Sequence, residues 1–135
     1  PGKKVELDIA ETLEVATIDP RLMELAVSNL VANACRHARE RVVVRAVLQG
    51  NSHVISVEDD GDGIPVESRS EVFRAFHTLE SHRRGSAGGV GLGLAIVARV
   101  AALHGGRARA EASPLLGGAM LTVEWPRRSG RRQSP

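Results

Sequence analysis

Apolar and polar residues alternate over KVELDI at 4–9 and again over LEVAT at 13–17, so both stretches read as strands. Asp19 followed by Pro20 is a helix N-cap with Pro at the first helical position. In the next segment, RLMELAVSNLVANACRHA, apolar residues recur at 22, 25, 26, 30, 31 and 34, the spacing of an amphipathic helix. RVVVRAVL and HVISVED, joined by QGNS, predict a β-hairpin over 41–59. A Gly-rich loop follows, and then a short helix is expected at about 66–76. HTLESHRRGSAGG, residues 77–89, has no period and is expected to be a functional lid or a disordered segment. LGLAIVARVAALH reads as a buried helix stopped at Gly105-Gly106. RARAEA and AMLTVEW read as two strands flanking the turn PLLGG. Strand pairs with helices between them predict an α+β fold, a mostly antiparallel sheet with helices on one face.

The chain has 135 residues, about one domain by length. With two Phe, one Trp and no Tyr, its core must be built from Ala, Val and Leu. The single cysteine, Cys35, excludes an internal disulfide, fits a reducing compartment and reads as a small buried thiol. The formal charge is +2, but PRRSGRRQSP at 126–135 holds four Arg and no acid. Without it the counts fall from 18 to 14 basic against 16 acidic residues, a net of −2. The part ending at 125 is therefore not a basic nucleic-acid surface, and residues 126–135 read as a disordered basic tail. The best apolar run, GLAIVARVAAL, is too short to span a bilayer and is broken by Arg99.

Three constellations carry chemistry. On the first helix Asn29 and Asn33 stand four residues apart, with Arg36 and His37 on or near the same stripe. Asn is a poor interior helix residue, so the pair either caps loop carbonyls or shares a polar task. The second is VEDDGDGIP at 57–65. As a calcium loop it would place Glu58, Asp60 and Asp62 at ligand positions around Gly63, but the position that needs a bidentate Glu is Arg69 and a strand precedes the loop. What remains is Asp59 at a strand end, followed by Gly61 and Gly63. Those glycines permit positive φ and close approach of a flat ligand. A carboxylate accepts hydrogen bonds and cannot donate them, so Asp59 suits an exocyclic amine such as that of adenine. The third is GGVGLGLAIV at 88–97, where glycines open a helix and its N-terminal amides and dipole favour an anion. It is neither a Rossmann loop, because no strand precedes it, nor a Walker loop, because no Gly-Lys-Ser/Thr follows.

Taken together, NLVANACRH, DDGDGIP, EVFRAF and GGVGLGLAIV occur in one order that resembles the N, G1, F and G2 boxes of sensor histidine kinase ATP-binding domains, in the GHKL superfamily that also holds gyrase and MutL. The resemblance covers roughly residues 4–125. It implies a two-layer α/β sandwich (the Bergerat fold), a mixed, mostly antiparallel sheet packed on three helices, with ATP between the helical layer and a mobile lid at about 77–89. It implies Asn33 as a ligand of Mg²⁺ bridging the phosphates, Arg36 and His37 toward phosphates or ribose, and Asn29 as a further residue of the nucleotide site. Asp59 would bind the adenine amine, Gly61, Gly63 and Ile64 would shape that wall, and Gly89, Gly91 and Gly93, with Val90, Leu92 and Leu94, would cradle the phosphates. Phe73 and Phe76 would anchor the lid base, with plain core packing as the rival for each, Phe76 would touch nucleotide, and Arg83 (or Arg84) would supply a lid contact to phosphate.

The chain departs from the family pattern at three places. His77-Thr78 stands where an Arg is frequent after the F box. Asp60 and Asp62 replace the commoner Asn and Pro, and both side chains are expected to face solvent. Asn29 stands where water-using ATPases of the superfamily carry a Glu general base. An amide cannot take a proton, which favours phosphoryl transfer to a nucleophile with its own base. No segment resembles the phosphoacceptor helix, so no catalytic residue is assigned in this chain. The resemblance implies a catalytic fragment that binds Mg-ATP and phosphorylates a histidine on a dimerisation domain, which then serves a response regulator. No nucleic-acid partner is expected; the fragment is expected to be monomeric, in a homodimeric parent anchored in the cell membrane with this part on the cytoplasmic side. An ATPase or ATP-gated switch of the same superfamily is the alternative, and a non-catalytic adaptor a third.

Overall fold

The computed structural model describes residues 3–9, 18–74 and 92–127. The expected strand at 13–17, the lid at 77–89 and residues 128–135 of the expected tail lie outside them, whereas the first two residues of that tail are ordered: Pro126 pairs with Ser52 in a strand and Arg127 N–H donates to Asn51 O at 2.7 Å. Asp19 caps the first helix as expected: its Oδ1 accepts from the N–H groups of Arg21 and Leu22 at 3.1 and 3.3 Å. The helix, α1, runs from Pro20 to His37 and buries Met23, Ala26, Leu30, Asn33 and Ala34 along one stripe.

Five strands form one sheet among the described residues: β1 (Lys4–Ile9), β2 (Arg41–Gln49), β3 (Ser52–Asp59), β4 (Arg107–Ala112) and β5 (Ala119–Pro126). Their order is β1-β2-β3-β5-β4. The β2–β3 hairpin closes with Gln49 opposite Ser52, and Gly50 adopts φ 60°, the left-handed backbone that such short turns demand. β3–β5 and β4–β5 are likewise antiparallel, whereas β1 lies parallel to β2. The sheet is therefore mixed and mostly antiparallel. A parallel neighbour needs a crossover, and α1 lies in the chain between β1 and β2.

The second helix, α2 (Gly93–Leu103), stops where Gly105 turns to φ 79°, with Gly105 and Gly106 N–H donating to Ala102 and Ala101 carbonyls. Both helices pack on one sheet face, where Leu30, Val97, Val42, Val57 and Leu121 are almost fully buried. Of the three helices expected, the described residues contain two. Three other expectations need correction. From Pro65 to Arg74 the hydrogen bonds run i→i−3, giving a 3₁₀ turn at Val66–Ser68 and further turns, because Ser68 and Ser70 are poor helix formers; residues 75 and 76 lie outside the described set. α2 is buried only along Val97, Val100 and Ala101, while Leu103 is exposed. Cys35 is half-buried against the core rather than buried.

Candidate functional site

Asp59 ends β3 on the helix-covered face and is 2% exposed. Its Oδ1 accepts from Gly61 N–H at 2.8 Å and from Ala119 N–H at 3.3 Å, and its carbonyl accepts from Gly118 N–H at 3.1 Å. Among the described residues both side-chain bonds fall on Oδ1. The carboxylate is thus fixed in orientation, and Oδ2 receives no hydrogen bond from the described residues.

The backbone crowds around this group. A Cβ on Gly61 would collide with the His37 carbonyl, and one on Gly118 would collide with Asp59 and Gly61 N. Only Gly63 of the two G1 glycines has positive φ, 82°. Gly61 was expected to serve ligand approach; its missing side chain also lets the end of α1 press against the loop. Gly118 is a residue that sequence reasoning missed, having read PLLGG only as a turn. A Gly directly before a strand that pairs with β3 was the available signal.

Asp60 is half-buried and tied to the backbone rather than simply facing solvent as expected. Its carboxylate accepts from the N–H groups of Arg39 (2.7 Å), Glu40 (3.1 Å) and Arg41 (3.2 Å), bridging the G1 loop to the entry of β2. Partial burial pushes its pKa up, but the hydrogen bonds from Glu40, Arg41 and Arg39 together outweigh this and hold it below the ordinary range. Asp62 is solvent-facing, in an exposed ion pair with Arg39 at 2.5 Å.

On α1, Asn33 is 8% exposed and its Oδ1 accepts from Arg36 Nη2 at 3.3 Å. Asn29 Nδ2 donates to Leu25 O at 3.0 Å, which aims its Oδ1 at α2: a Cβ on Gly93 would lie 2.9 Å from it. Leu92 occupies the N-cap of α2 without a capping side chain, and helix geometry leaves the amides of Gly93 and Leu94 without intrahelical partners. Ile64 lies in the apolar core at 8% exposure, behind the loop. α1 is therefore the common wall: Asn29 meets the start of α2, Asn33 and Arg36 pair in its last turns, and His37 abuts Gly61. Phe76, Arg83, Gly89, Val90 and Gly91 lie outside the described residues.

The profile of the histidine kinase-, DNA gyrase B- and HSP90-like ATPase family matches residues 18–129. The chain is 40% identical over 126 residues to the sensor protein RstB of Escherichia coli K12, a match covering 93% of this chain and 29% of RstB. It is 43% identical over 126 residues to the sensor-type histidine kinase PrrB of Mycobacterium leprae, covering 91% of this chain and 27% of PrrB. Among solved structures, the ATP binding domain of PrrB from Mycobacterium tuberculosis aligns with a TM-score of 0.68 at 34% identity, over 93% of this chain and 82% of that one. The chain spans less than a third of the two sensor proteins. Its mixed sheet, the two helices that its described residues pack on one face and its matched residues together place this chain in the histidine kinase-, DNA gyrase B- and HSP90-like ATPase family.

Proposed function

We propose that the chain is the catalytic part of a sensor histidine kinase, which binds Mg-ATP and donates the γ-phosphoryl group to a histidine on a separate dimerisation domain. The observation that carries the reading is Asp59: a buried carboxylate at a strand end, with Oδ1 pinned by two amides. Its Oδ2 accepts from the adenine 6-amino group and rejects a base with a carbonyl there. Asn33 offers a hard amide oxygen, now shared with Arg36, and this donor fits Mg²⁺, which is commonly held by few protein ligands plus phosphates and waters. When bound, Mg²⁺ would neutralise charge on the phosphates. Arg36 and His37 flank that position, and the first amides of α2, with Gly89 and Gly91 before them, receive phosphate oxygens. The segment at 77–89 serves as the lid, with Arg83 as its phosphate contact and Phe76 at its base.

Asn29, beside Gly93, cannot abstract a proton from water, which favours transfer to an acceptor histidine over hydrolysis. The partners are the dimerisation domain of a homodimeric, membrane-anchored parent, on its cytoplasmic side, and then a response regulator. Titration with labelled ATP and Mg²⁺, with and without a dimerisation-domain fragment of the parent, tests this. Binding with transfer only to the added fragment is expected; rapid hydrolysis by the chain alone would favour the ATPase reading instead. Asp59→Asn is expected to abolish the preference for ATP over GTP, and retained preference refutes the role of Asp59. Asn33→Ala is expected to remove the Mg²⁺ dependence of affinity.

A further inference from the structure

Glu58 is a carboxylate that the proposed chemistry does not use. It is 0% exposed, and as the strand neighbour of Asp59 it points to the opposite, outer face of the sheet. Its Oε2 accepts from Arg45 Nη1 at 2.8 Å and its Oε1 from the Ser113 hydroxyl at 2.6 Å. Both oxygens of a buried acid are thus satisfied, as burial of the charge requires.

Ser113 opens the turn between β4 and β5 and closes it on itself. Its Oγ accepts from Leu116 N–H at 2.8 Å, its carbonyl from Gly117 N–H at 3.0 Å, and its own N–H donates to Gly118 O at 2.8 Å. The far end of the same turn supplies the amides of Gly118 and Ala119 that hold Asp59. Two consecutive residues of β3 are therefore clasped, from opposite faces of the sheet, by the two ends of one six-residue turn, 113–118.

We infer that Ser113, acting through Glu58, is a positioning residue for adenine recognition: it sets the turn that fixes the orientation of the Asp59 carboxylate. The inference rests on the reading of Asp59 as the adenine acceptor. Loss of the Ser113 hydroxyl frees the turn from Glu58, lengthens the already long Ala119 bond, and lets the Asp59 carboxylate rotate. A less fixed acceptor discriminates less between bases. The phosphate-side groups sit on α1 and α2, away from the turn, so the loss falls on base preference and not on nucleotide affinity as a whole.

The test uses the full chain as wild type, Ser113→Ala and Ser113→Thr, with ATP and ITP, which carries a carbonyl in place of the 6-amino group. Competition binding is expected to show Ser113→Ala losing about tenfold of the preference for ATP over ITP, the scale of one hydrogen bond to a charged group, with ITP affinity unchanged and with preference restored by Ser113→Thr. Amide hydrogen exchange on the ligand-free chain is expected to accelerate at Gly118 and Ala119 in Ser113→Ala and not in the β2–β3 hairpin. Equal loss of ATP and ITP binding, or unaltered preference, overturns the inference. Unchanged exchange at Gly118 and Ala119 overturns the positioning step alone. A wild-type chain that does not distinguish ATP from ITP overturns the Asp59 reading, and with it the adenine half of the inference.

Discussion

On the helix-covered face of the sheet, Val42, Val44, Val57, Leu121 and Val123 meet Leu30 and Val97 in an apolar layer. One residue along each strand, the outer face carries Glu6, Asp8, Arg41, Arg45, Glu58, Arg107, Arg109, Glu111 and Glu124, joined in ion pairs. By register and alternation, every acid of the described strands points outward except Asp59. Glu58 and Asp59 make the contrast sharpest. The outward acid has both oxygens engaged by side chains, whereas the inward one is held by amides through a single oxygen. A carboxylate on the apolar face is costly unless paired, and its placement there is the strongest mark of function in the fold.

The largest effect is expected from breaking the apolar face. Leu30 is 0% exposed, midway along α1. Leu30→Ala removes transfer free energy and leaves a cavity, and is expected to cost about 2–5 kcal/mol by chemical denaturation. A loss below about 1 kcal/mol would mean that the helical layer is not what holds the sheet.

The outer face differs in its dependence on pH. A hydrogen bond from Arg109 chiefly, opposed by burial and aided by Arg107, holds the Glu124 carboxyl below its usual range, and a hydrogen bond from Arg41 does the same for Glu6. A carboxyl depressed in the folded state stabilises it above the unfolded pKa, about 4.3 for Glu. That stabilisation is lost as pH falls through the folded value. Thermal melts are therefore expected to fall steeply below about pH 4, and Glu124→Gln is expected to flatten part of that fall while lowering Tm at pH 7. An acid limb identical to wild type would show that Glu124 titrates alike folded and unfolded.

Much of this architecture was legible from the chain. Asp19-Pro20 announced α1, Gly105-Gly106 ended α2, and the alternation in KVELDI, HVISVED and AMLTVEW placed β1, β3 and β5. Periodicity could not say that β1 lies parallel to β2, because a strand's face pattern is the same for either partner direction. Nor could it foresee the 3₁₀ turn at Val66–Ser68, where local serines and Pro65 overrode a weak helical pattern. In the site, residue types marked Asp59 and the Asn pair. Gly118 showed only as a glycine before a strand, and Ser113 and the fastening role of Asp60 were invisible, since each depends on contacts between segments distant in the sequence.

The smallest effect is expected at Asp62, which separates surface charge from structural charge in one loop. Its ion pair with Arg39 is short, 2.5 Å, yet the side chains are 66% and 90% exposed. Solvent screening and side-chain entropy cancel most of such a pair's attraction, leaving about 0.2–1 kcal/mol at most. Two residues away, Asp60 gathers three backbone amides and joins α1's end to β2. Asp62→Asn is therefore expected to leave denaturation midpoints and ATP affinity near wild type, while Asp60→Asn lowers the midpoint measurably under the same conditions. Equal losses from the two variants would show that charge density in DDGDG matters more than the amides it binds.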